Sequence, residues 1–112
     1  MADVRKLTQE YVVAFNTRDL DKVGSLLAEE FELTDPEVTA LAPKSEVLKY
    51  IKGLFDAHDI LRFEARSILV DGNLSVIHFT LRLGETILDG VDVIAWMGQK
   101  MVRMEAYLTL RK

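Results

Sequence analysis

With 112 residues, of which 49% are apolar, the chain has material for one domain with a core and little room for a second. A formal net charge of −4, with Lys and Arg scattered along the chain, excludes a binder of nucleic-acid backbones, which needs clustered positive charge, and disfavours docking on anionic membranes. No cysteine is present, so disulfides, thiol nucleophiles and thiolate metal sites are excluded.

The N-terminal stretch Met1-Ala2-Asp3-Val4-Arg5-Lys6 lacks the apolar core of a secretory signal. No apolar run is long enough to span a bilayer. The default expectation is a cytoplasmic protein. Val4, Leu7, Tyr11, Val12 and Phe15 then recur at helical spacing and predict a helix over residues 3–15. Asn16-Thr17-Arg18-Asp19 breaks it, and Asp19 is placed to cap a second helix that turns Leu20, Val23, Leu26 and Leu27 inward. A short strand, Phe31–Thr34, runs into Asp35-Pro36, and residues 37–43 read as loop. A third helix opens at Pro43 or Lys44 with Val47, Leu48, Ile51, Leu54 and Phe55 on one face.

In the second half the period changes. Residues 60–70, 74–83, 86–96 and 100–110 are β-branched and aromatic runs with partial alternation. Asp71-Gly72-Asn73, Gly84-Glu85 and Met97-Gly98-Gln99 separate them, and turns this short imply antiparallel neighbours. The predicted fold class is α+β: three N-terminal helices on a strongly curved, mainly antiparallel sheet, forming a cup in a single domain over residues 1–112. The mouth of such a cup is a usual place for a small-molecule site.

Several stretches carry a resemblance. Tyr11 to Phe15, Asp19-Leu20-Asp21, Leu27-Ala28-Glu29-Glu30, Thr34-Asp35-Pro36, Leu88-Asp89-Gly90-Val91-Asp92-Val93 and Met104-Glu105-Ala106-Tyr107 together resemble the ketosteroid-isomerase-like and SnoaL-like polyketide-cyclase branch of the NTF2-like superfamily. Each motif is weak alone; their order and spacing over nearly the whole chain carry the likeness. The resemblance implies the cone-shaped, cystatin-like fold of that superfamily. It also implies a cofactor-free site that removes a proton next to a carbonyl of a small hydrophobic compound, for isomerisation or aldol-type cyclisation. The fold equally hosts non-catalytic binding and dimerisation domains, so that alternative stays open.

Three residues carry the expected chemistry. Asp35 precedes a proline, which biases it toward extended backbone. On residues alone it is a turn aspartate; the resemblance makes it the general base. Tyr11 lies on the inward stripe of the first helix, either as a core tyrosine or, as the resemblance implies, a hydrogen-bond donor to an oxyanion. Asp92 sits between Val91 and Val93, and alternation puts it on a face with Ile94 and Trp96. A carboxyl on an apolar face is costly when ionised, so it is either partnered or protonated. The resemblance makes it a protonated second donor. Phe15, Leu27, Ile51, Phe55, Ile94, Trp96, Met104, Ala106 and Leu108 are the expected substrate wall. Leu27 and Ile51 stand where the isomerases carry further tyrosines, so the extended hydroxyl network of that family is missing here.

The remaining polar residues carry less. Asp89 falls on the opposite strand face from Asp92. His58 and His78 form no metal-ligand pattern, and the six glycines are scattered without a phosphate loop. No metal and no cofactor are expected. Outward apolar residues such as Val91 and Val93 predict a homodimer through the outer face of the sheet.

Overall fold

The structure is a computed structural model and describes residues 2–111. Helix α1 spans Val4–Asn16, α2 Leu20–Ser25, and α3 Lys44–Ala57. Strands β1 to β5 span Leu27–Thr34, Leu61–Asp71, Leu74–Leu83, Thr86–Met97 and Lys100–Leu110. They form one curved, unclosed sheet in the order β1-β5-β4-β3-β2. Pairing is antiparallel except between β1 and β5. The fold is α+β, with helices packed on the sheet as expected.

Local chemistry sets the element ends. Asp3 and Asp19 cap α1 and α2, each carboxylate accepting from the backbone N–H three residues on, at 3.0 Å. The three β hairpins turn through Gly72, Gly84 and Gly98, each with φ near +60°, where a Cβ would be strained. The second helix is shorter than its apolar spacing suggests. Gly24 and Ser25 are poor helix formers, and the chain leaves the helix at Leu26. Leu26 and Leu27 are still buried, but as the entry to β1, where the Met101 N–H donates to Leu26 O at 2.7 Å and Leu27 pairs with Met101. The strand expected at Phe31–Thr34 therefore begins four residues earlier.

The helices cover what the open sheet leaves bare. α1 packs on β2, and α3 packs on β1. Asn16 at the end of α1 acts as a substitute strand: its amide bonds both the N–H and the C=O of Phe63, while the Arg5 guanidinium donates to Ile68 O. The edge of β2 is thereby closed to further strand pairing. Gly90 is required by a close approach. A Cβ there would strike the Tyr107 carbonyl and lie 2.8 Å from Leu108 Cβ, so only glycine lets β4 and β5 meet at that point.

The core fills one end of this cup. There Trp96, Ile77, Ile94 and Met101 are almost fully buried between helices and sheet. Among them lies a closed polar chain. The Trp96 indole N–H donates to Ser75 Oγ at 2.9 Å, and Ser75 Oγ is 2.9 Å from Thr8 Oγ1, whose hydroxyl lies 2.7 Å from Val4 O.

Candidate functional site

The other end of the cup holds a cavity of about 90 Å³ that opens to solvent. Helix α1 delivers Tyr11 and Phe15 to it, because the helix buries Thr8, Tyr11, Ala14 and Phe15 on one stripe. The end of β1 delivers Asp35, α3 delivers Tyr50 and Ile51, and the inner faces of β4 and β5 deliver Asp92, Met104, Ala106 and Leu108. The three residues singled out for chemistry, Tyr11, Asp35 and Asp92, thus share one cavity.

Depth separates them. Tyr11 is 4% exposed and Asp92 5% exposed, whereas Asp35 and Tyr50 are half-buried. Among the described residues no protein group hydrogen-bonds the Tyr11 hydroxyl or the Asp92 carboxyl. Burial shifts both toward their protonated forms. It raises the Asp92 carboxyl from 3.8 to about 7, with the Asp35 charge adding to the effect. It also raises the Tyr11 hydroxyl well above its ordinary value, helped by the neighbouring Asp92. Two proton donors with nothing in the protein to donate to therefore face the same small space.

Asp35 is held differently. Its Oδ1 accepts from the backbone N–H groups of Glu37 at 2.8 Å and Val38 at 2.9 Å, the turn role read from the Asp-Pro pair. Its Oδ2 accepts from the Tyr50 hydroxyl at 2.8 Å. One oxygen thus fixes the turn, as the Asp-Pro pair suggests, and the other is held by Tyr50 beside the cavity. Burial, then the bond to Asp35, raises the Tyr50 hydroxyl so that it stays a donor.

Tyr50 was not singled out from the sequence. A signal was present: Tyr50 lies three residues after Val47 and four before Leu54, both cavity residues, so it borders their stripe. Phe63 and Phe79 of the neighbouring strands also line the cavity without having been singled out.

Six of the nine expected wall residues line the cavity: Phe15, Leu27, Ile51, Met104, Ala106 and Leu108. Three do not. Phe55 lies behind the wall, its ring 5.2 Å from that of Phe15 in an edge-on contact. Ile94 shares the inner face with Asp92 but lies two residues, about 7 Å, further along β4 in solid core. Trp96 also points inward, but into the same filled core, beyond a break in register between Ala95 and Trp96. Its indole belongs to the closed polar chain and not to the cavity.

The remaining candidates lie outside. His78 is exposed on the outer face, in register with Val91 and, through it, Tyr107. Asp89 is on that face too, in a two-pronged pair with Arg111 at 2.6 and 2.8 Å that lowers its carboxyl to about 2. The Arg82 guanidinium donates to Gly84 O and does not reach the cavity. Among the described residues no group of three or more acidic or histidine side chains could hold a metal ion, and no helix is long and apolar enough to cross a membrane.

Comparison with known proteins follows the same lines. The SnoaL-like domain family matches residues 8–104. No curated protein matches the chain in sequence. Among solved structures, an NTF2-like protein of unknown function from Burkholderia pseudomallei superposes with a TM-score of 0.86 at 22% identity, over 97% of this chain and 92% of that one. A candidate ketosteroid isomerase from Kribbella flavida gives 0.83 at 18% identity, over 97% and 79%. A candidate SnoaL-like polyketide cyclase from Shewanella denitrificans gives 0.85 at 12% identity, over 97% and 92%. At these identities the likeness is one of fold.

Proposed function

The chain belongs to the SnoaL-like domain family, and on that premise we propose that it is an acid–base enzyme that works without a cofactor on a small hydrophobic carbonyl compound. The observation that carries this reading is the pair of buried, unpartnered proton donors, Tyr11 and Asp92, facing the same cavity as the anchored carboxylate of Asp35. Buried polar groups are normally hydrogen-bonded within the protein. Two that are not, and that converge on a cavity, are suited to an oxygen supplied by a ligand.

In this reading the substrate carbonyl oxygen rests between Tyr11 and protonated Asp92. Asp35 removes a proton from the adjacent carbon, and the electron pair moves onto the oxygen as an enolate. The two donors stabilise that charge; in dry sites the loss of one such donor costs about 3 to 4 kcal/mol of barrier. Asp35 then returns the proton to another carbon, which is isomerisation, or the enolate carbon attacks a second carbonyl and the resulting alkoxide takes the proton back, which is aldol-type cyclisation. Tyr50 and the turn N–H groups keep the Asp35 carboxylate oriented throughout. A cavity of about 90 Å³ is small beside the roughly 300 to 1,000 Å³ of drug-sized sites, which favours a compact, single-ring substrate.

Phenol tests the reading, because its oxygen on a flat unsaturated ring imitates an enolate. Calorimetry should show binding weakened about tenfold by Tyr11→Phe and by Asp92→Leu, each removing a donor. Asp35→Asn should leave it unchanged or tighter, since it removes negative charge near the ring. Equal affinities across all four proteins would favour a non-catalytic scaffold instead.

The protein is also proposed to be a homodimer through the outer sheet face, where half-buried Val91 and Val93 lie beside exposed Tyr107. Light scattering should give twice the monomer mass at micromolar concentration; a monomer mass removes this proposal.

A further inference from the structure

The cavity has an unusual charge balance. Six of its lining residues are aromatic: Tyr11, Phe15, Phe31, Tyr50, Phe63 and Phe79. Two are acidic, Asp35 and Asp92. No Lys, Arg or His is among the residues that line it. The neighbours that face Asp92 supply no positive charge from any side. Tyr11 comes from α1, Asp35 from the end of β1 and Tyr50 from α3, while the register partners of Asp92 on β3 and β5 are Ile77 and Ala106.

Two carboxyl groups around one apolar space are therefore left without a counter-charge. Buried carboxylates are ordinarily paired or protonated. Aromatic faces carry negative potential, and a ring of them with a carboxylate is the environment that attracts a desolvated ammonium ion. We propose that this cavity binds a small organic cation, a quaternary or protonated amine on a compact apolar body, caged by the aromatic rings and neutralised by Asp92 and Asp35. Such a cation competes with the carbonyl compound for the same space and uses Asp92 in the opposite protonation state. Carboxylates and phosphates of similar size are excluded, because they meet two like charges and no partner.

This inference shares the cavity and its two carboxyls with the acid–base reading but not the chemistry, and its pH dependence has the opposite sign. A cation needs ionised Asp92, so binding strengthens as pH rises through about 7. An enolate mimic needs the protonated form and weakens over the same range.

Three probes with a compact branched body vary the charge: tetramethylammonium, tert-butanol and the slightly larger pivalate, which are positive, neutral and negative. Titrations followed by the NMR shifts of the cavity methyl groups give each affinity. The expected order is cation above alcohol, with pivalate not binding. The cation should bind about tenfold more weakly at pH 6 than at pH 8, while the alcohol does not change. Asp92→Asn should abolish that pH dependence. Should the variant not fold, the pH series on the unaltered protein carries the same information. Pivalate binding as well as the cation, a cation no better than the alcohol, cation affinity indifferent to pH, or no binding by any of the three would each overturn the proposal. A charge-blind cavity whose phenol affinity still depends on Tyr11 and Asp92 refutes this inference alone; a phenol affinity indifferent to those variants refutes the acid–base reading alone.

Discussion

The cup contains two buried polar clusters built from the same elements, and they are treated in opposite ways. Thr8 and Tyr11 lie one turn apart on α1, and Trp96 and Asp92 lie on the same strand β4. At the closed end Thr8, Ser75 and Trp96 bond one another in solid packing, and all three are at most 1% exposed. At the open end Tyr11 and Asp92 are nearly as buried but bond nothing in the protein, and their side chains border empty space. Thr8, Ser75 and Trp96 satisfy each other and so fix the packing of α1 on the sheet. In the proposed reading, Tyr11 and Asp92 spend stability to keep donors available, as functional sites commonly do. The difference lies in packing and not in residue chemistry, since each cluster is made of ordinary hydrogen-bonding side chains.

The largest test of this contrast is Asp92→Asn. The folded-state value of Asp92, about 7, is raised above the unfolded 3.8. The folded state therefore keeps its proton while the unfolded chain loses one, so stability falls as pH rises between those values and is level above about 7. The full loss is roughly 4 kcal/mol. Asp92→Asn should recover about 2 to 4 kcal/mol at pH 8, less whatever the amide itself leaves unpaired, and close to none at pH 3, in urea denaturation across that range. A variant that loses stability at pH 8 would show that Asp92 is partnered as ionised carboxylate, and the contrast would collapse.

A smaller effect sharpens the comparison from both ends. Ser75→Ala strands the buried Trp96 N–H, while the Thr8 hydroxyl keeps Val4 O, and should cost about 1 to 3 kcal/mol. Tyr11→Phe, although it also deletes one buried hydroxyl, removes no bond within the protein and should cost under about 1 kcal/mol. Denaturation of both variants at neutral pH reads the difference directly. If Tyr11→Phe costs the more, the Tyr11 hydroxyl has a structural partner and the cavity loses its main claim to function.

Much of the architecture was legible. The hairpin strands fell within a residue of their expected bounds at both ends, because period-two alternation and glycine turns are local signals. The second helix and β1 were misjudged at Leu26 and Leu27, where local spacing favoured helix and pairing with Met101 decided for strand. At the site, Tyr11 and Asp92 could be placed inward from periodicity; the proline made Asp35 a turn aspartate, and only the family resemblance pointed it to the cavity. Tyr50 was missed because its importance comes from reaching a carboxylate fifteen positions away.

By itself, then, the sequence determined which side chains point inward, since that depends on 3.6- and 2-residue periods that any chain of this pattern obeys. Only the tertiary structure decided which inward groups meet atoms and which meet space. Ile94 and Asp92 share one strand face, yet Ile94 lies in filled core and Asp92 borders the cavity. Trp96 also points inward, as alternation suggests, but into the same filled core, bonded to Ser75. Filling depends on how far helices stand from a curved sheet at each level of the cup, a distance set by all the packed residues together, and no local pattern records it.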